Sequence, residues 1–92
     1  MGPDTVIRRK DNHVTTELDD ELILMQVGSG QFYSMDDTAR DIWQRLAEPI
    51  TFEQLIEQLL EHYDLDRQTC VKEVSEFLRV LENSDLIQIA PV

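Results

Sequence analysis

The side chains of this 92-residue chain with the strongest intrinsic chemistry are one thiol and two imidazoles, Cys70, His13 and His62. A thiol becomes a nucleophile when a base or a positive environment lowers its pKa. Cys70 instead starts a helical pattern continued by Val74, Phe77, Leu78 and Leu81, with Val71 beside it, and that position suits a small buried hydrophobe. His62, between Glu61 and Tyr63 near the end of a helical stretch, suits a cation at a helix C-terminus. Together with Asp64 and Asp66 it makes only a loose metal pattern, and a zinc site needs more Cys and His than the chain carries. His13 stands in or beside a strand with no visible partner. The chain has no Gly-rich phosphate loop, no G-x-S-x-G, no H-E-x-x-H and no EF-hand spacing. These residues therefore predict a protein that is not an enzyme and holds no metal or cofactor. Recognition is the chemistry left.

Charge narrows what is recognised. Eight Lys and Arg against 19 Asp and Glu give a net charge of −11, which repels phosphate backbones and anionic lipid and suits a basic peptide. Three of the bases are adjacent, at Arg8, Arg9 and Lys10, so the remainder is more acidic still. A single Cys cannot close an internal disulfide, and no apolar run reaches the length of a spanning helix or a signal segment. Met1-Gly2 is followed by Val6 where N-myristoylation needs Ser or Thr. The expected location is the cytoplasm, and the expected organisation is one domain over residues 1–92, with 1–5 and 90–92 flexible.

The elements that must present a recognition surface follow from periodicity. Val6–Arg9 is a short β-like stretch, and 13–18 alternates through Val14, Thr15 and Thr16. Residues 21–27 carry Leu22, Ile23, Leu24, Met25 and Val27. Asp19-Asp20 and Gly28-Ser29-Gly30 are turn signals, and Gln31–Met35 is an aromatic-rich strand after the second. A three-stranded antiparallel meander results, with 31–35 at its edge. From Asp36 the period becomes helical. Asp36 or Asp37 caps a first helix that buries Ala39, Ile42, Trp43 and Leu46, and Pro49 ends it. Thr51 and Gln54 form a capping box for a second helix burying Phe52, Leu55, Ile56, Leu59, Leu60 and Tyr63, with Glu53, Glu57 and Glu61 on its solvated face. Asp64 or Asp66 opens a third helix, Asn83-Ser84-Asp85 breaks it, and Leu86–Ile89 is a short β-prone tail able to pair with a neighbouring strand or pack as a wing. The fold class is α+β and winged-helix-like: an N-terminal three-stranded antiparallel sheet, three helices and a possible short C-terminal strand.

Two readings of such a domain fail on particular residues. Acyl carrier proteins resemble one another through Asp-Ser-Leu at a helix start, whereas Ser84-Asp85-Leu86 here lies at a helix end. A winged-helix DNA reader needs a basic recognition helix, and Arg67, Lys72 and Arg79 are offset by Glu73, Glu76 and Glu82. A DNA-binding regulator remains the rival of another class, and a small subunit catalytic only in a complex is a third.

The segment Gly30-Gln31-Phe32-Tyr33-Ser34-Met35-Asp36, running into Ala39, Ile42-Trp43 and Leu46, resembles the PqqD-like family. That family shows a Gly, an aromatic strand, Leu or Met before Asn or Asp, a small residue and an Ile-Trp pair. Thr51–Leu55, Tyr63, Phe77-Leu78 with Leu81, and Leu86-Ile87 continue the likeness, which spans residues 14–89. Met35-Asp36 stands where Leu-Asn is commoner, and Gln26-Val27-Gly28 replaces a Pro-Glu pair typical of PqqD itself. The resemblance implies a RiPP recognition element, a non-catalytic adaptor that holds the leader segment of a ribosomally made precursor peptide. As a free-standing acidic member, the chain is most similar to the leader-binding partner of lasso-peptide biosynthesis, serving a separate leader protease and a cyclase. A PqqD-type chaperone for another modifying enzyme is the nearer alternative. The resemblance also implies that a leader aromatic and a leader proline enter an apolar cleft between strand and helix.

Physically, a disordered leader adds to the 31–35 edge, where backbone groups otherwise face water, and the third helix supplies selective pockets. The expected peptide-binding residues are Gln31, Phe32, Tyr33, Ser34 and Met35 on the strand and Val71, Val74, Ser75, Leu78 and Arg79 on the helix, with Val74 and Leu78 equally suited to the core. Alternation gives Phe32 and Ser34 one face and Gln31, Tyr33 and Met35 the other. Proline at Tyr33 disturbs binding if that residue's N–H faces the ligand. Glu73 and Glu76 are placed to attract leader lysines.

Overall fold

A computed structural model describes residues 1–90. In chain order it contains β1 (Val6–Arg9), β2 (His13–Leu18), β3 (Glu21–Gln26), β4 (Phe32–Met35), α1 (Asp37–Arg45), β5 (Ile50–Thr51), α2 (Phe52–His62), α3 (Arg67–Asn83) and β6 (Ile87–Ala90). The expected meander is present as the antiparallel sheet β2-β3-β4, with β4 at its edge. Leu22, Leu24 and Met35 turn inward from it, as alternation requires.

A second three-stranded sheet, β5-β1-β6, is the part of the architecture that the sequence reading lacked. β1 pairs antiparallel with the tail over Val6↔Ala90 to Arg9↔Ile87, and with β5 at Ile7↔Ile50. The tail therefore lies against β1 and leaves β4 uncovered. Residues 1–5, expected to be loose, are held: Thr5 is buried, and the Phe52 and Glu53 amides donate to the Thr5 and Pro3 carbonyls. The expectation for the extreme C-terminus falls partly on paired Ala90; residues 91–92 lie outside those described.

The helices bury the faces their spacing predicts. Ile42, Trp43 and Leu46 from α1, Phe52, Leu55, Ile56 and Leu59 from α2, and Cys70, Val74, Leu78 and Leu81 from α3 join Ile7, Leu86 and Ile87 in one core. α1 has Asp36 at its cap position, without a side-chain cap bond, and it ends four residues before Pro49, at Arg45. α2 has the full capping box: the Gln54 amide donates to Thr51 Oγ1 and the Thr51 amide to Gln54 Oε1, both at 3.1 Å. Thr51→Ala should cost about 1 kcal/mol of unfolding free energy, measured by urea titration. α3 starts at Asp66, whose carboxylate accepts from the Thr69 amide at 2.7 Å and is held below its ordinary pKa by that bond.

At the other end of α3, Asp85 adopts φ 61°, and the Leu86 and Asp85 amides donate back to the Leu81 and Glu82 carbonyls. This is a Schellman closure with Asp in the position glycine usually takes. The Asp85 carbonyl accepts from Asn12 Nδ2 at 2.8 Å and Gln26 Nε2 at 3.3 Å. Those two bonds tie the ends of β2 and β3 to the end of α3, so the sheet and the helix are held in one frame.

Arg9 of β1 and His13 of β2 meet Trp43 of α1, distant from both in sequence. Arg9 lies 4.3 Å from the Trp43 ring centroid, and His13 meets the same indole edge-on at 5.1 Å and 76°. Burial, and then the Arg9 charge, push the His13 imidazole below its ordinary 6.5, with the Asp11 carboxylate opposing in part. The unfolded chain therefore takes up more protons than the folded one below that value. The stabilisation is complete above about 6.5 and is lost as pH falls towards the folded pKa. His13→Phe should accordingly flatten the decline in urea midpoint between about pH 7 and about pH 5.

Candidate functional site

The hairpin between β3 and β4 decides which backbone groups of β4 are free. Its loop runs from Val27 to Gly30, and Gly30 takes φ 71°, a conformation that glycine adopts without a Cβ clash. The Gln26 amide donates to the Gln31 carbonyl at 2.9 Å, which makes this a hydrogen-bonded pair of the ladder. Along the observed register, such pairs alternate with non-bonded ones: Leu24↔Tyr33 and Leu22↔Met35 are bonded, while Met25↔Phe32 and Ile23↔Ser34 are not. Tyr33 and Met35 thus spend their N–H and C=O groups on β3. Phe32 and Ser34 direct theirs to the open edge. The bond from the Val27 amide to the Asn12 carbonyl gives the same assignment from the other side of β3, because it turns Met25 and Ile23 towards β2.

The side chains sort the same way. Met35 is buried and Tyr33 half-buried against the core, with its hydroxyl donating to Gln31 Oε1 at 2.8 Å. Phe32 is 69% exposed on the opposite face, and Ser34 beside it donates to Glu21 Oε2 at 3.1 Å.

Beyond Met35 the chain enters α1, and there the surface opens into an apolar groove of about 240 Å³ between α1, the end of α2 and α3. Ala39 and Ile42 form one wall, Val74 and Phe77 the other, Tyr63 and Leu65 close the end, and Glu73 stands at the rim. Tyr63 is fixed by donating to Asp41 Oδ2 at 2.8 Å, a bond that also raises its phenol pKa. Cys70 lines the groove floor, and burial pushes its thiol upward, which favours the uncharged form. Among the described residues no cluster of three or more His, Cys, Asp or Glu could hold a metal ion.

Of the helix residues singled out from sequence, Val74 reaches the groove while being otherwise buried, and Leu78 lies wholly in the core. Val71 and Ser75 are half-buried outside the groove lining; Arg79 is exposed and bonded to Glu82 at 3.1 Å. The groove is instead completed by Ala39, Ile42, Tyr63 and Phe77, which the sequence reading placed on buried helix faces, and by Thr38 and Leu65, to which it gave no role. The available signal was that Tyr63 and Phe77 are large apolar residues on the margins of their helical faces.

The model of the family described as coenzyme PQQ synthesis protein D (PqqD) matches residues 21–87, and the chain belongs to that family. Its structure is similar to that of TbiB1 in complex with the TbiA(beta) leader peptide, with a TM-score of 0.81 and 28% identity over 88% of this chain and 94% of that one. A lasso peptide synthetase B1 complexed with its leader peptide shares the fold, with a TM-score of 0.79 and 20% identity over 89% and 96% of the two chains. No curated protein gives a significant match.

Proposed function

We propose that this chain is an adaptor that binds the leader segment of a ribosomally synthesised precursor peptide by strand addition and presents it to maturation enzymes. The observation that carries the reading is the open edge of β4, whose Phe32 and Ser34 backbone groups point away from β3. A peptide strand satisfies those groups in the way another β-strand does, which gives affinity with little sequence demand. Selectivity comes from the groove that begins at Thr38, three residues past the end of β4, where an apolar leader side chain leaves water against Ile42, Val74 and Phe77. The likeness to TbiB1, a protein solved with a leader peptide bound, supports this reading. The resemblance read from the sequence favours the lasso pathway, in which a leader protease and a cyclase are the enzymes served.

The rim carboxylate of Glu73 and the net charge of −11 favour a leader carrying lysines and act mainly on the rate of encounter. A DNA-binding role finds no support on α3, where Arg67 is paired with Glu53 and Arg79 with Glu82. The test is a pair of anisotropy titrations, one with labelled leader peptides of lasso-type precursors and one with labelled duplex DNA. Saturable peptide binding without DNA binding is expected. Tight DNA binding with no peptide binding overturns the proposal.

A further inference from the structure

The outer face of the β2-β3-β4 sheet carries a row of apolar side chains that the groove does not use. Val14 lies opposite Met25 and Met25 opposite Phe32, so the three form one line across the sheet that ends at the open edge. Val14 is 53% and Phe32 69% exposed, and together with Ile23 and Met25 they border a shallow depression of about 140 Å³. Resting on the strand-addition reading above, we infer that this row is completed by the bound peptide itself. The edge selects an apolar side chain, aromatic or β-branched, at the peptide position beside Phe32 on the face away from the groove.

Alternation and register give the reason. A strand laid on β4 sends every second side chain to the outer face whichever way it runs, and the Phe32 backbone groups point at that strand. The peptide residue bonded there has its side chain next to Phe32, as a cross-strand neighbour. Left alone, Phe32 keeps most of its ring in water; with an apolar neighbour, the line Val14–Met25–Phe32 gains a fourth member. A second copy of the chain is a poorer occupant. Stacking this face on itself adds Glu21, on the same face of β3 as Ile23 and Met25, to the repulsion between two chains of net charge −11. Peptide recognition is then two-sided: the groove reads the inward side chains and Phe32 reads an outward one.

The test begins with a displayed library of random short peptides selected on the wild-type protein. Each apolar residue of one selected peptide is then changed to Ser, and each version is titrated against wild type and Phe32→Ser. One peptide position should couple to Phe32, with Phe32→Ser weakening the parent peptide about two- to fivefold and weakening the peptide lacking that side chain hardly at all. Position-independent weakening, or none, overturns the inference while the strand-addition reading stands, provided that Ser34→Pro still abolishes binding. Failure of Ser34→Pro to affect binding defeats both. Concentration-dependent dimerisation of wild type that Phe32→Ser removes, without peptide coupling, assigns the face to a second copy and also overturns the inference.

Discussion

Ser34→Pro should lower affinity for a leader peptide at least tenfold while leaving the urea midpoint nearly unchanged. Proline removes the backbone donor, and at Ser34 that donor faces the open edge and takes no part in the β3-β4 ladder. The peptide carbonyl that should accept it is left without a partner in a closed interface, a loss of about 1–3 kcal/mol, to which the steric bulk of the ring adds. Tyr33→Pro is the informative contrast. Its N–H belongs to the bonded pair with Leu24, so proline there breaks the sheet itself and lowers stability as well as binding. Thr15→Pro completes the set. Thr15 lies in a non-bonded pair with Leu24 on β2, the opposite edge, so its N–H also points outward, away from the proposed peptide. Binding that survives Thr15→Pro but fails in Ser34→Pro with its stability intact, against Tyr33→Pro losing both, assigns the peptide to β4. Equal loss at Thr15 would move it to the other edge.

That contrast also marks where sequence reading stopped. The strand 31–35, its edge position and the division of Phe32 and Ser34 from Tyr33 and Met35 follow from local alternation and from the Gly28-Ser29-Gly30 turn signal. Which of these residues has its N–H free does not, because that parity depends on which pair closes the hairpin, here Gln26 and Gln31. The α2 capping box and the buried faces of all three helices were equally local and equally legible. The β5-β1-β6 sheet was not: Val6–Arg9 finds its main partner in Ile87–Ala90, at the opposite end of the chain, and a two-residue strand at Ile50–Thr51 has too few residues to show a period. The meeting of Arg9, His13 and Trp43 has the same origin. Each residue looks unremarkable in its own segment, and only the packing of β1 and β2 against α1 makes a cluster of them.

The groove shows how two neighbouring residues of one helix divide between fold and function. Leu78→Asp should unfold the protein or leave it largely unfolded at room temperature. Leu78 is fully buried among core residues, so the carboxylate loses its hydration without gaining a partner, and the packing of the leucine is lost as well. Several kcal/mol on that account is a large share of the roughly 5–15 kcal/mol by which a small domain is stable. Loss of helical circular dichroism with no cooperative urea transition is the expected reading. Phe77→Asp is expected to behave differently. Phe77 is half-buried and lines the groove, so its replacement keeps the helix and most of the core while placing a charge where an apolar leader side chain must lose water. Its far-ultraviolet spectrum should match wild type, and leader affinity should fall at least tenfold, because a desolvated anchor residue loses its pocket. A folded Phe77→Asp protein with unchanged affinity would remove the groove from the binding site and leave the strand edge to act alone.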